Sequence, residues 1–253
     1  MAKIISFANQ KGGVGKTTSA VNVAASLGVL GYRVLLVDLD PQGNATSGVG
    51  ISKKAQKYTI NDILGGSVPA VDTIVETEYK NISIIPANIA LAGAEFELFN
   101  QGKSEDKMKK AFEPLSDKFD YIIIDCPPSL GMLTVNAMVA SDGVVIPMQC
   151  EYFALEGLSQ LTITISKLKK AYNPKLNITG ILITMFNKRL LLSQQVINEL
   201  KKHYPDKLFE TQISRNVKLS EAPGFGAPVY YHDKRSKGSE EYLAVAKELA
   251  SRI

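Results

Sequence analysis

The chain has 253 residues, 45% hydrophobic and 21% charged, with a net charge of +4, an ordinary globular composition with ample material for a core. No apolar run approaches the roughly 20 residues needed to cross a bilayer. Its two cysteines, Cys126 and Cys150, are too few and too far apart for a disulfide framework or a zinc knuckle and read as buried free thiols in a reduced, cytoplasmic setting.

Short β-rich apolar runs alternate with longer helical patterns. The first run is apolar but short, and it passes straight into a glycine motif without a small-residue cleavage site. It therefore reads as a strand over residues 3–8, not as a signal peptide. Further strands are predicted at 33–38, 82–86, 121–125, 143–147 and 178–185. Val34-Leu35-Leu36-Val37 and Ile122-Ile123-Ile124 are unbroken apolar runs, as expected of strands covered on both faces. Residues 51–71, with Gly65-Gly66 and Pro69, read as an insertion or surface excursion carrying a short helix. A helix is predicted over 155–172, where Leu158, Leu161, Ile165, Leu168 and Tyr172 form one apolar stripe, and Asn173-Pro174 ends it. The last 14 residues mix acids with small alanines and read as a packed closing helix. This alternation implies an α/β fold, a doubly wound, mostly parallel sheet with helices on both faces, in a single domain over 1–253.

The first strand is followed by Asn9-Gln10-Lys11-Gly12-Gly13-Val14-Gly15-Lys16-Thr17-Thr18, and then a helical stretch. Glycines let such a loop curl so that successive N–H groups cradle phosphate oxygens. Lys16 would supply a cation to the β and γ phosphates of ATP, and the Thr17 hydroxyl can sit on Mg²⁺. The helix that follows points its positive end at the anion. The standard phosphate-loop pattern has a glycine where this chain has Gln10, and a second lysine, Lys11, stands beside it.

Ligands of open α/β sheets collect beyond the carboxyl ends of the strands. Asp38 and Asp40 close the second predicted strand, and Asp125 closes the run 122–125. An aspartate after a buried apolar strand, in a chain with a phosphate loop, reads as the group that holds Mg²⁺ through water. That role goes to Asp125. Asp38 either supports the Mg²⁺ shell or holds the loop, and turn capping would also account for an Asp-Pro pair at Asp40-Pro41.

The glycine loop resembles the deviant Walker A motif of the ParA/MinD family. The stretches DLDPQGNATSGVG (38–50), DCPPSLG (125–131), QCEYFALEG (149–157) and NVKLSEAP (216–223) extend the likeness over nearly the whole chain, closest to the small chromosome-partitioning ParA (Soj) subgroup. The resemblance implies an ATPase with ATP and Mg²⁺ as cofactors. It implies that Lys11 reaches across a sandwich dimer to the partner's ATP, that Glu151 contacts the partner's nucleotide, and that Asp40 orients the attacking water. It places Ile213, Ser214, Arg215 and Asn216 near the adenine and ribose, although family members often carry proline where Ser214 stands. Asn216 and Ser214 could equally serve only to shape a loop.

Between Lys188 and Lys237 the chain has ten lysines and arginines against five acids, so this stretch holds the excess positive charge. Lys201-Lys202 reads as a solvated helix face. Arg189, Lys218 and Arg235 fall in predicted loops or at element ends, and family members carry DNA-binding basic residues matching the first two. No helix-turn-helix signature is visible, so contact with double-stranded DNA would be through phosphates, non-specific and salt-sensitive. The resemblance further implies an ATP-dependent homodimer, a ParB-like centromere-binding partner that stimulates hydrolysis, and association with the nucleoid. A MinD-like membrane cycle would need a terminal amphipathic helix with a basic face and bulky apolar anchors, which the closing helix does not offer. A cluster-binding protein similar to the nitrogenase iron protein would need cysteines at cluster spacing.

Overall fold

The computed structural model describes residues 1–102 and 104–253. In chain order, β1 (Lys3–Phe7), α1 (Lys16–Val29), β2 (Val34–Asp38), α2 (Asn44–Gly48), α3 (Ile60–Gly65), β3 (Val75–Glu76) and β4 (Ile82–Ile85) come first. Next are α4 (Leu91–Gln101), α5 (Lys107–Phe112), β5 (Tyr121–Asp125), α6 (Met132–Ala140), β6 (Gly143–Met148), α7 (Ala154–Ala171) and β7 (Asn177–Ile183). The last are α8 (Leu191–His203), α9 (Val217–Glu221), α10 (Val229–His232) and α11 (Lys237–Arg252).

The seven strands form one sheet in the order β3-β4-β2-β5-β1-β6-β7. All neighbours are parallel except β3, which runs antiparallel to β4. Alternate residues of each apolar run face opposite layers. Ile5, Phe7, Val34, Leu36 and Ile123 pack with α1 and α11 on one side, and Leu35, Val37, Ile122 and Ile124 pack with α6 and α7 on the other. Both layers exclude water, which is why these strands carry no polar alternation.

Pairing also sets the row of residues at the carboxyl edge. Phe7 and Asp38 both stand opposite Asp125. The loop after β1 and the acids ending β2 and β5 are therefore brought to one edge, at the place where strand order reverses about β1.

Helix α1 is buried nearly all round, and its Ala20, Ala24, Ala25 and Gly28 allow close approach to the sheet. Beside it on the same face lies α11, with Tyr242, Val245, Ala246 and Leu249 buried. The closing helix thus spends its apolar face inside the fold, as its alanine-rich pattern suggests.

Several local readings need correction. The two-residue edge strand β3 was not expected, because so short a run carries no periodic signal. Strand β7 ends at Ile183, so Thr184 and Met185 leave the sheet. The stripe on α7 stops at Leu168; Tyr172 caps the helix, half-exposed, with its hydroxyl 3.1 Å from Glu105 Oε1. Asn173 ends the helix and also serves its neighbour, donating to Met138, Val139 and Ser141 carbonyls at the end of α6. The segment 51–71 is more than a surface excursion. Its helix α3 buries Ile60, Ile63 and Leu64, and the Asp62 carboxylate accepts from the Thr59 N–H at 2.8 Å, closing half of a capping box.

Gly28 offers a test of the close packing of α1. A Cβ there would lie 2.5 Å from the Lys80 carbonyl oxygen and 3.0 Å from Ile82 Cγ1. Alanine gains about 1 kcal/mol of helix propensity over glycine, but backbone oxygen cannot move aside as a side chain can, so overpacking lies at the upper end of its usual cost, about 2–3 kcal/mol. Gly28→Ala is expected to lower Tm in thermal melts by roughly 2–8 °C. An unchanged or higher Tm would contradict the packing described.

Candidate functional site

After β1 the chain turns through Ala8, whose N–H donates to the Val145 carbonyl, and Asn9, whose side chain donates to Pro147 O at 2.8 Å and accepts from the Lys11 N–H at 3.0 Å. Gly13 and Gly15 adopt left-handed conformations, φ 73° and 83°, which side chains with a Cβ rarely tolerate. Around Gly12 and Gly13 nothing lies within 4 Å of where a Cβ would be, so the loop presents an open concave backbone. Gln149 donates to the Gly13 carbonyl at 2.8 Å and Thr184 Oγ1 to the Val14 carbonyl at 2.8 Å. The loop is thus braced from the ends of β6 and β7. Gln10, the residue that departs from the standard pattern, bridges to Gln160 Oε1 on α7 at 3.1 Å.

Gly12, Gly13, Gly15, Lys16, Thr17 and Thr18 line a cavity of about 380 Å³ together with Asp40, Gln42, Asn44, Pro128 and Met185. Lys16 is buried, and its Nζ donates to the Lys11 carbonyl at 2.9 Å. Burial lowers its pKa, while Asp125, Cys126 and Asp40 oppose that shift. A buried cation at the mouth of a ring of backbone N–H groups is an anion site.

The three aspartates divide in role. Asp125 is fully buried, and neither carboxylate oxygen has a hydrogen-bond partner. Burial drives its pKa well above the usual carboxylate value and Asp38 adds to this, while Thr17 and Lys16 act in the opposite direction. Asp38, also fully buried, has both oxygens engaged. They accept from the Asp40 N–H at 3.1 Å, the Thr46 N–H at 2.7 Å and the Thr46 hydroxyl at 2.7 Å. Burial nevertheless pushes its pKa up to about 6. These bonds tie the Asp38 carboxylate to the loop that follows β2. Asp40 lines the phosphate cavity, with one oxygen accepting from the Gln42 N–H at 2.9 Å.

A second cavity, of about 260 Å³, shares Gly15, Thr18 and Met185 with the first. Its walls include Ile213, Ser214, Arg215 and Asn216, the stretch expected near a base and ribose, and also Thr184, Leu219, Pro223 and Tyr242. Asn216 caps α9 by accepting from the Lys218 N–H at 2.8 Å. Met185, at φ 51°, stands between the two cavities. Sequence reasoning missed Met185 and Thr184 by absorbing them into β7, and it missed Tyr242, which arrives from a helix more than 200 residues away.

Lys11 lies outside the phosphate cavity. It lines a neighbouring cavity of about 270 Å³ with Glu151, Gln149 and Phe153, and its ammonium pairs with the Glu151 carboxylate of its own chain. Both side chains are about half-exposed. Tyr152 and Phe153 beside them are exposed, their rings 5.1 Å apart.

Arg189 is exposed in the turn before α8. Three residues earlier, Phe186 bridges to Ser214, four residues before Lys218, so the turn and the start of α9 flank one irregular edge. Lys218 pairs with Glu221 at 2.9 Å, and Arg235 is exposed in the turn before α11. His203 pairs with Glu199 within α8, and the Tyr231 ring packs on Tyr79 at 4.7 Å. The Cys126 thiol is buried beside Asp125 and pushed up by that burial, whereas Cys150, expected to be buried, is only partly so, and that burial pushes its thiol up to about 11.

Comparison with known proteins agrees with this geometry. A model of the AAA domain family matches residues 2–178. The sporulation initiation inhibitor protein Soj of Bacillus subtilis is 54% identical over 251 residues, covering 99% of both chains. The chromosome partitioning protein ParA of Myxococcus xanthus is 50% identical, covering all of this chain and 89% of its own. Among solved structures, cobyrinic acid a,c-diamide synthase from Mycobacterium smegmatis, crystallised with an ATP analogue and magnesium, superposes with a TM-score of 0.86 at 36% identity over 99% of this chain and 95% of that one. With a braced glycine loop, a buried lysine and an aspartate-ended strand at one sheet edge, the chain belongs to the ParA/Soj family of P-loop ATPases.

Proposed function

We propose that the chain is an ATP-dependent DNA-partitioning ATPase, in which ATP closes a sandwich dimer that binds DNA non-specifically and a ParB-like partner releases it by stimulating hydrolysis. The observation that carries this reading is the division of labour between the two loop lysines. Lys16 lines the phosphate cavity, whereas Lys11 lies outside it, half-exposed. A lysine so placed serves a phosphate held by a second copy better than one held by its own chain. The pair it makes with Glu151 is a partly exposed ion pair of the kind that contributes about 0–1 kcal/mol, so a triphosphate can displace it at little cost.

The residues present fit ATP and Mg²⁺. The open backbone of Gly12 to Gly15 with Thr18 suits the phosphates, and the second cavity suits the base. Mg²⁺ would supply charge neutralisation across the phosphates, held by the Thr17 hydroxyl and, through water, by Asp125. Among the described residues no three His, Cys, Asp or Glu side chains converge on a metal position, so phosphate oxygens would complete the shell, as is usual for Mg²⁺. Asp40 would hold and orient the attacking water. Charge stabilisation at the γ-phosphate falls to Lys16 in the same chain and Lys11 from the partner.

Arg189, Lys218 and Arg235 would meet DNA phosphates, and pairing two subunits doubles the patch. A complex of this kind would sit on the nucleoid. The membrane-cycling alternative is disfavoured because α11 has its apolar face packed on α1. No described helix is long and apolar enough to cross a membrane.

DNA binding measured with ADP, ATP and a non-hydrolysable analogue tests the switch. Binding is expected with ATP and the analogue and to be weak with ADP. Arg189→Ala should weaken binding alike for all sequences and reduce the salt slope by about 1 per lost phosphate contact, hence about 2 per dimer. Equal binding with every nucleotide would refute the proposal.

Asp125 gives a pH test. A buried acid whose folded pKa is raised holds its proton more tightly when folded. The stability this gives is present at low pH and is lost as pH rises from the unfolded value, about 4, through the folded one. Asp38, at about 6, sets the same direction. Asp125→Asn is therefore expected to stabilise the nucleotide-free protein at pH 8 by about 1–3 kcal/mol but not at pH 4.5, and to lose Mg²⁺-dependent nucleotide binding. A stability difference that does not change with pH would contradict the ionisation described.

A further inference from the structure

The wall of the base cavity is an irregular segment. Residues 208–216 join β7 and its exit through the isolated bridges Ile181–Leu208 and Phe186–Ser214, and their other backbone N–H groups need partners from elsewhere. Helix α11 supplies three of them, for Glu210, Thr211 and Ser214, from two carboxylates two turns apart. Glu248 accepts from the Glu210 N–H at 3.0 Å and the Thr211 N–H at 3.4 Å, and is itself held by Arg252 at 2.6 Å. Glu241 accepts from both the N–H and the hydroxyl of Ser214, at 2.8 and 2.7 Å. Its side chain is only 12% exposed, with Lys237 at 3.5 Å on its outer side. The helix is anchored beneath the phosphate loop in turn, since buried Tyr242 hydrogen-bonds Ser19 of α1 at 3.0 Å and lines the base cavity itself.

We propose that Glu241 is a positioning residue for nucleotide binding: its carboxylate fixes the irregular segment at Ser214 that walls the cavity beside the phosphate loop, and so sets affinity for the base and ribose without touching either. This rests on the nucleotide reading of the site. The Ser214 N–H and hydroxyl need two polar atoms at this point of α11, an acceptor for the N–H and a partner for the hydroxyl, and the two oxygens of Glu241 provide them. The phosphate loop is braced separately, by Gln149 and Thr184, so the two halves of the site can be perturbed independently.

Calorimetric titration of the full chain with Mg·ATP and with Mg·tripolyphosphate, which has no base, separates them. Glu241→Ala is expected to weaken ATP binding roughly tenfold while tripolyphosphate affinity stays within about twofold. Glu241→Gln, which keeps an acceptor for the N–H and a donor for the hydroxyl, should recover most of the ATP affinity. Ser214→Ala, which loses only the hydroxyl donor, should fall between wild type and Glu241→Ala. In turnover the Glu241→Ala effect should fall on KM for ATP with little change in kcat. Unchanged ATP affinity in Glu241→Ala, or equal losses for ATP and tripolyphosphate, would overturn the assignment. Wild-type protein that binds tripolyphosphate and ATP equally, or neither, would instead overturn the nucleotide reading.

Discussion

An unpaired, fully buried carboxylate at the end of the central strands is the constraint around which this site is organised. A charge removed from water without a partner is costly, and a protein ordinarily neutralises or pairs it. No hydrogen bond of good geometry reaches Asp125, although Thr17 and Lys16 favour its charged form, while Asp38 one strand away is satisfied by Thr46 and the Asp40 backbone. The asymmetry leaves Asp38 with its acceptors engaged and Asp125 with acceptor positions to spare. The sheet can hold Asp125 there because β5 lies between β1 and β2 and is covered on both faces. Its last residue lies beside Lys16 and Thr17, behind the wall of the glycine-loop cavity.

The same logic governs the cations. Lys16 is committed to the cavity and reaches back to the loop's own carbonyl; an anion placed there exchanges a weak partner for a strong one. Lys11, five residues earlier, is held by Glu151 at the rim. Because the loop is braced by Asn9, Gln10, Gln149 and Thr184, the two lysines cannot both collapse into one cavity. What looks like redundancy in the sequence becomes a division between an inward and an outward charge.

Much of this was legible in the sequence because it is local. The glycine loop, the aspartates at strand ends and the apolar runs are contiguous signals, and the parallel sheet followed from their alternation. Ile213 to Asn216 do line the second cavity. What escaped was tertiary. Met185 bridges the two cavities only because β7 stops two residues earlier than its apolar pattern implies. Tyr242 and Glu241 reach the site from α11, whose sequence reads as an ordinary packing helix. The pairing of Lys11 with Glu151 joins residues 140 positions apart, and β3 is too short to carry a period. The contact of Asp38 with Thr46, eight residues on, was likewise not legible.

The central claim is that the terminal phosphate, through Lys11, brings two chains together. Sedimentation of Asp40→Ala, which should bind ATP without turning it over, compared with Asp40→Ala/Lys11→Ala in ATP and in ADP, tests it most directly. The single variant is expected to be a dimer in ATP and a monomer in ADP, and the double variant a monomer in either nucleotide. A monomer in ATP that encloses the nucleotide alone, or a dimer that forms without Lys11, would contradict it.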